Sequence, residues 1–307
     1  MIPSREGCPA FRRTGCVAGI ANLALEHRIT PYAPLNRHIS GLCQTARAYV
    51  IPLPMKILLT NDDSHSSPLL TFIIRKLRTL GKLIIVVPKH EQSWKGKSIS
   101  RFDTLELEKI TLDGEPAHTL SGTPADCVNL GVHHLCGGKP DLVVSGINAG
   151  INAGMGFLFA SGTVGACFEG NIAGIPGVAF SQNFDSETMN RYAAEYALPK
   201  ETLQRLSDQT LLLLDRVFDK LLADPDFLKH PITWNVNFPF RAVTNCELRI
   251  APVGISTYGS CYELTDLGYV HRLRDVKVDS RPNCDGNVCR LGHVAMTPID
   301  LRLVGQV

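Results

Sequence analysis

KILLTNDDS, residues 56–64, is the stretch on which the reading of this chain turns. KILLT has the composition of a short buried strand, and it runs straight into Asn61, Asp62 and Asp63. Two adjacent carboxylates at the end of an apolar strand repel one another and lack a counter-charge. Either the pair caps the next helix, as Asx residues commonly do, or it holds something positive. The neighbouring segments have to decide.

Downstream, SPLLTFIIRKLRTLG (67–81) carries apolar residues at helical spacing and stops on a glycine. KLIIVVP (82–88) is a second buried strand closed by proline. After the polar loop KHEQSWKGKSIS (89–100), TLELEKITL (104–112) alternates like an exposed strand or hairpin arm. GTPADCVNLGVHHLC (122–136) reads as a helix, with Thr123 as N-cap and Pro124 at the first helical position. PDLVVSG (140–146) is another β-branched strand. A glycine-rich loop, a helix over GTVGACFEGNIAG (162–174) and a strand over PGVAFS (176–181) follow. A long helical region interrupted by Pro199 then precedes the strand ITWNVNFP (232–239). Strands alternating with helices through short turns predict an α/β fold: a mostly parallel sheet with helices on both faces. Beyond about residue 245 the pattern changes to short alternating strands and turns, and VCRLGHVAMTPIDLRL (288–303) reads as a strand that projects or pairs. The expected organisation is an extension over 1–54, a core over 55–245, and a smaller C-terminal β element or arm over 246–307.

Composition narrows the function. The chain has 307 residues, 44% hydrophobic and 20% charged, and a net charge of +2. That is ordinary for a globular protein with a sizeable core, and it provides no strong field towards nucleic acid or an anionic membrane. No Lys/Arg run interleaves with aromatics, and no apolar stretch reaches a membrane-spanning length. The 10 cysteines form no C-x-x-C pair, and Cys284, Cys289 and His293 match no common zinc spacing. Singles such as Cys127 and Cys167, set in apolar stretches, read as small core residues of a reducing compartment, the cytoplasm. Residues 1–54 contain six arginines, no lysine and only two acids, Glu6 and Glu26. They read as a disordered extension, one origin of which is translation from upstream of a start at Met55, with an organellar leader as the alternative.

In a doubly wound sheet, ligands sit beyond the carboxyl ends of the strands. That rule brings three features together: NDD after the first strand, HEQS after the second, and SGINAG after PDLVV. Asp62 and Asp63 supply anionic oxygens, while Ser93 and Asn148 supply neutral ones; such a set suits Mg²⁺, Mn²⁺ or Ca²⁺ rather than zinc. Glycines 146, 150, 154 and 156 let backbone approach a ligand closely, and Ser161, Gly162 and Thr163 open a helix whose N-terminus suits phosphate. No G-K-[ST] is present, and the loop after the first strand has no G-x-G-x-x-G. A divalent-metal site opposite an anion-binding helix start describes phosphoester hydrolysis.

KILLTNDDSHSSPLL, VVPKHEQSWKGKSIS, LSGTPADCVNLG, PDLVVSGINAGINAG and SGTVGACFEG, taken in this order, resemble the SurE (survival protein E) nucleotidases over roughly residues 55–300. The resemblance implies a Rossmann-like three-layer α/β/α core with a C-terminal arm exchanged in a homodimer or higher homo-oligomer. It implies a divalent-metal-dependent phosphomonoesterase, a 5′-nucleotidase, acting on nucleoside 5′- and 3′-monophosphates and sometimes polyphosphate. One cation per subunit, Mg²⁺ or Mn²⁺, is then held by Asp62, Asp63, Ser93 and Asn148, and phosphate contacts fall on Asn152 and Ser161. No nucleic-acid or membrane partner is expected.

The chain departs from the family pattern at Ser64, where glycine is usual, in the SWKGK loop (93–97), and in MGFLFA (155–160). A nucleotide-binding regulatory protein with weakened turnover is therefore the alternative. His65 is a possible acid or base, read more simply as a solvent-facing turn residue, and His133 and His134 as surface or packing residues.

Overall fold

The computed structural model describes residues 54–306, so the readings of the N-terminal extension lie outside the described residues. In chain order the elements are β1 (Met55–Thr60), α1 (Leu70–Leu77), β2 (Gly81–Pro88), β3 (Leu107–Leu112), β4 (Glu115–Leu120) and α2 (Pro124–Leu130). Then come β5 (Leu142–Ala149), α3 (Met155–Ala160), α4 (Gly162–Ile172), β6 (Gly177–Gln182), α5 (Ser186–Glu195), α6 (Lys200–Leu222) and β7 (Thr233–Phe238). The last are β8 (Leu248–Ile250), β9 (Tyr262–Thr265), β10 (Gly268–His271), α7 (Asp285–Arg290) and β11 (Val294–Ile299).

Nine strands form one sheet in the order β3-β4-β2-β1-β5-β6-β7-β11-β8. The five pairings from β4 through β2, β1, β5 and β6 to β7 are all parallel. The outermost β3 pairs antiparallel with β4, and β11 pairs antiparallel with β7. Successive side chains of β1 show why the sheet has layers on both sides. Ile57 and Leu59 pack into a cluster with Ile73 and Leu77 of α1 and Leu214 and Phe218 of α6. Leu58, between them, packs into a second cluster with Val128 of α2 and Val164 and Cys167 of α4. A strand buried on both faces has to read as a continuous apolar run, which is how KILLT was recognised. The expected α/β architecture with helices on both faces is therefore present.

Local signals act where the sequence put them. Thr123 caps α2 through a reciprocal box: its hydroxyl accepts from Asp126 N at 3.1 Å, and the Asp126 carboxylate accepts from Thr123 N at 2.8 Å. The exposed alternating stretch is β3, one arm of the hairpin with β4. The long helical region divides as expected, with α5 ending on Tyr196 in the left-handed region and α6 starting after Pro199.

After residue 245 the architecture does not break. Strands β8 and β11 extend the main sheet, and only the β9–β10 hairpin forms a sheet of its own. Val288, Cys289 and Arg290, the first residues of the segment read as a strand, are helical and belong to α7. Their turn is fixed by the buried Asp285 carboxylate, which accepts from Gly154 N and Gly254 N, each at 2.9 Å. Among the described residues, no helix is long and apolar enough to cross a membrane.

Candidate active site

The Asp pair does not cap the next helix. Helix α1 begins only at Leu70, behind Leu69, and no side chain caps it. Asn61 closes the turn after β1 instead, its amide donating to Ser64 O at 2.7 Å. Asp62 and Asp63 are thereby left 3% and 4% exposed at the carboxyl end of the central strand.

Each carboxylate reaches a different element. Asp62 Oδ1 accepts from the Thr163 hydroxyl at 2.6 Å, and its Oδ2 from Thr163 N at 3.2 Å, which sets it against the first turn of α4. Asp63 Oδ2 accepts from Ala149 N at 2.8 Å, at the end of β5. Among the described residues neither has a lysine, arginine or histidine partner. Burial therefore dominates: it pushes the Asp62 carboxyl up to about 6, against the pull of the Thr163 bonds and with a smaller contribution from the Glu91 charge. Burial and the charge of Asp62 push Asp63 well above the usual carboxylate range.

Asn148 and Asn152 follow from β5. The register of β5 against β6 shifts between Ser145 and Asn148, so that Asn148 pairs with Ser181. The Asn148 amide N–H donates to Gly150 O at 3.1 Å, which leaves its side-chain oxygen Oδ1, an acceptor, for a ligand. Asn152 is held on three sides: its N–H donates to Asn237 Oδ1 at 2.9 Å, its side-chain amide to Ser181 Oγ at 2.8 Å, and its carbonyl accepts from Asn235 Nδ2 at 2.7 Å. Ser161 is the N-cap of α4, its Oγ accepting from Val164 N at 3.1 Å. A hydroxyl that accepts in this way keeps its proton for a second partner.

Ser93 is exposed and sits on the loop between β2 and β3. That loop is fastened at several points. Gln92 N donates to Asp62 O at 2.8 Å and Gly96 N to Ala160 O at 2.9 Å, while Lys97 Nζ lies 2.7 Å from the buried Glu169 of α4. The backbone at Gly96 crosses α4 directly over Gly165, where an added Cβ would lie 2.5 Å from the Gly96 carbonyl oxygen. Only glycine permits that crossing.

Asp62, Ser93, Asn148, Asn152 and Ser161 line one cavity of about 650 Å³. Asp63 is buried just behind it, bonded to Ala149, which lines the wall. All three strand-end loops therefore meet at one place. Sequence reasoning did not find Thr163 as the partner of Asp62, nor the remaining walls, to which α5 gives Met189 and Asn190 and the segment after β9 gives His271 and Arg272. Thr163 had been noticed only as part of a helix start, and the others carry no local signal. His65, His133 and His134 are exposed and do not line the cavity. Cys289 and His293 are engaged elsewhere, Cys289 Sγ with Phe238 O at 3.3 Å and His293 Nδ1 with Glu247 N at 3.1 Å.

A parallel sheet whose strand ends gather paired carboxylates beside a helix N-terminus defines the class: an α/β protein of the doubly wound type with its ligand cavity beyond the strand ends. The family description "Survival protein SurE" matches residues 57–260. The 5′-nucleotidase SurE of Geotalea daltonii is 36% identical over 259 residues, covering 81% of this chain and 94% of that protein. The 5′-nucleotidase SurE of Thermofilum pendens is 35% identical over 185 residues, covering 60% of this chain and 66% of that protein. The crystal structure of the SurE protein from Aquifex aeolicus superposes with a TM-score of 0.59 at 26% identity, covering 80% of this chain and 93% of that one. The chain belongs to the SurE family.

Proposed function

We propose that this protein is a divalent-metal-dependent phosphomonoesterase that hydrolyses nucleoside monophosphates, a 5′-nucleotidase. The observation that carries the reading is the pair of buried carboxylates, without a basic partner among the described residues, with Asp62 set against the first turn of α4 at the wall of the cavity. Two relatives that bear the name 5′-nucleotidase SurE support it.

The donor set fits a hard cation. Burying two adjacent carboxylates without a counter-charge is unfavourable, and a divalent ion removes that cost. Asp62, Asp63, Ser93 and Asn148 would hold it, with only oxygen atoms offered, which suits Mg²⁺ or Mn²⁺, one per subunit. When bound, the ion supplies Lewis-acid polarisation of a phosphoryl oxygen. The rest is done by this chain's own residues. Ser161 would direct its free hydroxyl proton, and α4 the positive end of its dipole, towards the phosphate. Asn152, immobilised by three hydrogen bonds, keeps the adjacent backbone in place. Thr163 fixes the orientation of Asp62.

A second copy of the chain is the expected partner. Tyr262, Leu264, Leu267 and Tyr269 of the β9–β10 hairpin are 60%, 67%, 100% and 73% exposed, more apolar surface than a free hairpin carries comfortably. The free cysteines among the described residues support a reducing location, the cytoplasm. The test is phosphate release from a panel of nucleoside monophosphates with Mg²⁺, Mn²⁺ or EDTA, for the wild type and Asp62→Asn. Release that requires metal and collapses in the variant upholds the reading; no release by the folded wild type under any metal overturns it.

A further inference from the structure

The cavity has two ends of different chemistry. Carboxylates, amides and the α4 N-terminus occupy one, and the other is aromatic. Trp94, the residue after Ser93, is surrounded by Phe157, Tyr258 and His271, with ring centroids 6.1, 5.2 and 5.2 Å away. Phe157 and Tyr258 also meet each other at 5.8 Å. None of these four rings belongs to a hydrophobic core cluster. Trp94, Phe157 and His271 line the same cavity as Asp62 and Ser161.

Trp94 is held there against its own backbone preference, at φ 63 in the left-handed region that favours glycine. Phe157, Tyr258 and His271 meet it at interplanar angles of 64°, 77° and 57°. These contacts fix the orientation of the indole, and Trp94 remains 38% exposed at the cavity wall. The next residues of the loop cannot swing away, because Gly96 is bonded to Ala160 and Lys97 to Glu169.

We infer that Trp94 is a specificity-determining residue of this site: its face stacks the aromatic base of the substrate while the phosphate lies at the Asp62–Ser161 end. The substrate class is then a phosphomonoester with a planar aromatic group, a nucleoside monophosphate, in preference to a sugar phosphate or a polyphosphate chain. Every base offers a π-face, so the platform selects for a base without selecting strongly among bases. This inference rests on the phosphatase reading above.

The experiment compares kcat/KM for adenosine 5′-monophosphate and for ribose 5-phosphate, which differ by the base, in the wild type, Trp94→Ala, Trp94→Leu and Trp94→Phe. Loss of base stacking is expected to lower the nucleotide-to-sugar ratio roughly 10-fold or more in Trp94→Ala and Trp94→Leu, mainly through KM, while Trp94→Phe keeps most of it. Trp94→Leu keeps apolar bulk without a π-face, so it serves if Trp94→Ala does not fold. An unchanged ratio in these variants, or equal losses on both substrates, overturns the inference. If the wild type hydrolyses neither ester, the phosphatase reading has failed, and the platform is judged by calorimetry with adenosine alone. Adenosine binding that weakens roughly 10-fold in Trp94→Leu then upholds the platform, and no adenosine binding by the wild type overturns it.

Discussion

The inner and outer ends of the cavity are built differently. At the inner end Asp62, Asp63 and Asn152 are buried and tied to a strand end or a helix start, Asp62 to Thr163, Asp63 to Ala149, Asn152 to Asn237 and Ser181, while Ser93 reaches in from an exposed loop. At the outer end Trp94 and His271 are exposed, Trp94 on the loop after β2 and His271 at the end of β10, the root of the hairpin. Groups that have to be placed to a fraction of an ångström are carried by the sheet, where displacing them would disturb the core. Groups that sort ligands are carried by loops, which tolerate change. The SWKGK loop and MGFLFA supply Trp94 and Phe157 to the outer end, and Ser64 is not one of the cavity-lining residues.

That contrast can be broken most severely from the inside. Asp62→Asn is expected to reduce metal-dependent phosphate release by roughly 10³-fold, measured as kcat, because one of the two charged donors is lost. Thr163→Val removes the 2.6 Å hydrogen bond to Asp62 without touching the donors. It is expected to weaken activity or metal affinity by roughly 10- to 100-fold, read from a Mg²⁺ titration of activity.

Asp63→Asn should behave oppositely on stability. It removes one of two buried like charges while its side-chain oxygen can still accept from Ala149 N. The metal-free protein is expected to gain thermal stability, roughly 2–4 °C for each kcal/mol released, and to lose the stabilisation that Mg²⁺ gives the wild type. A drop in melting temperature without metal would show that the pair is not repulsive. The smallest effect belongs to Ser64, held at φ 67. Ser64→Gly is expected to add about 0.5–1 kcal/mol in a denaturant titration, since glycine occupies that region without strain.

Much of this was legible in the sequence for identifiable reasons. The strands β1, β2, β5 and β6 print as apolar runs between turn residues, and β7 as Trp234, Val236 and Phe238 alternating with Asn235 and Asn237. The N-terminus of α2 prints as Thr123-Pro124 because its cap is local. The cation and phosphate candidates could be found because the strand-end rule turns three distant loops into one location. What failed to print was non-local or mixed in character. Thr163 meets Asp62 across 101 residues of chain. Strand β4 contains a proline and a histidine and pairs on both sides all the same, with β2 and β3. The aromatic wall gathers Trp94, Phe157, Tyr258 and His271 from four segments, none of which carries a pattern that names the others.

The placement of β11 between β7 and β8 has a consequence for how the chain is made. Among the described residues, strand β8 borders only β11, and the outer edge of β7 is covered only by β11. On a ribosome advancing roughly 5–20 residues per second, the parallel part of the sheet is complete well before Val294–Ile299 emerges. For those seconds β7 offers a bare row of peptide groups, the kind of edge that recruits strands from other molecules. A message broken, or a ribosome stalled, shortly before the codon for Val294 would therefore release a chain that holds β1 to β7 and the loops of the candidate site, with a sticky seam where β11 belongs.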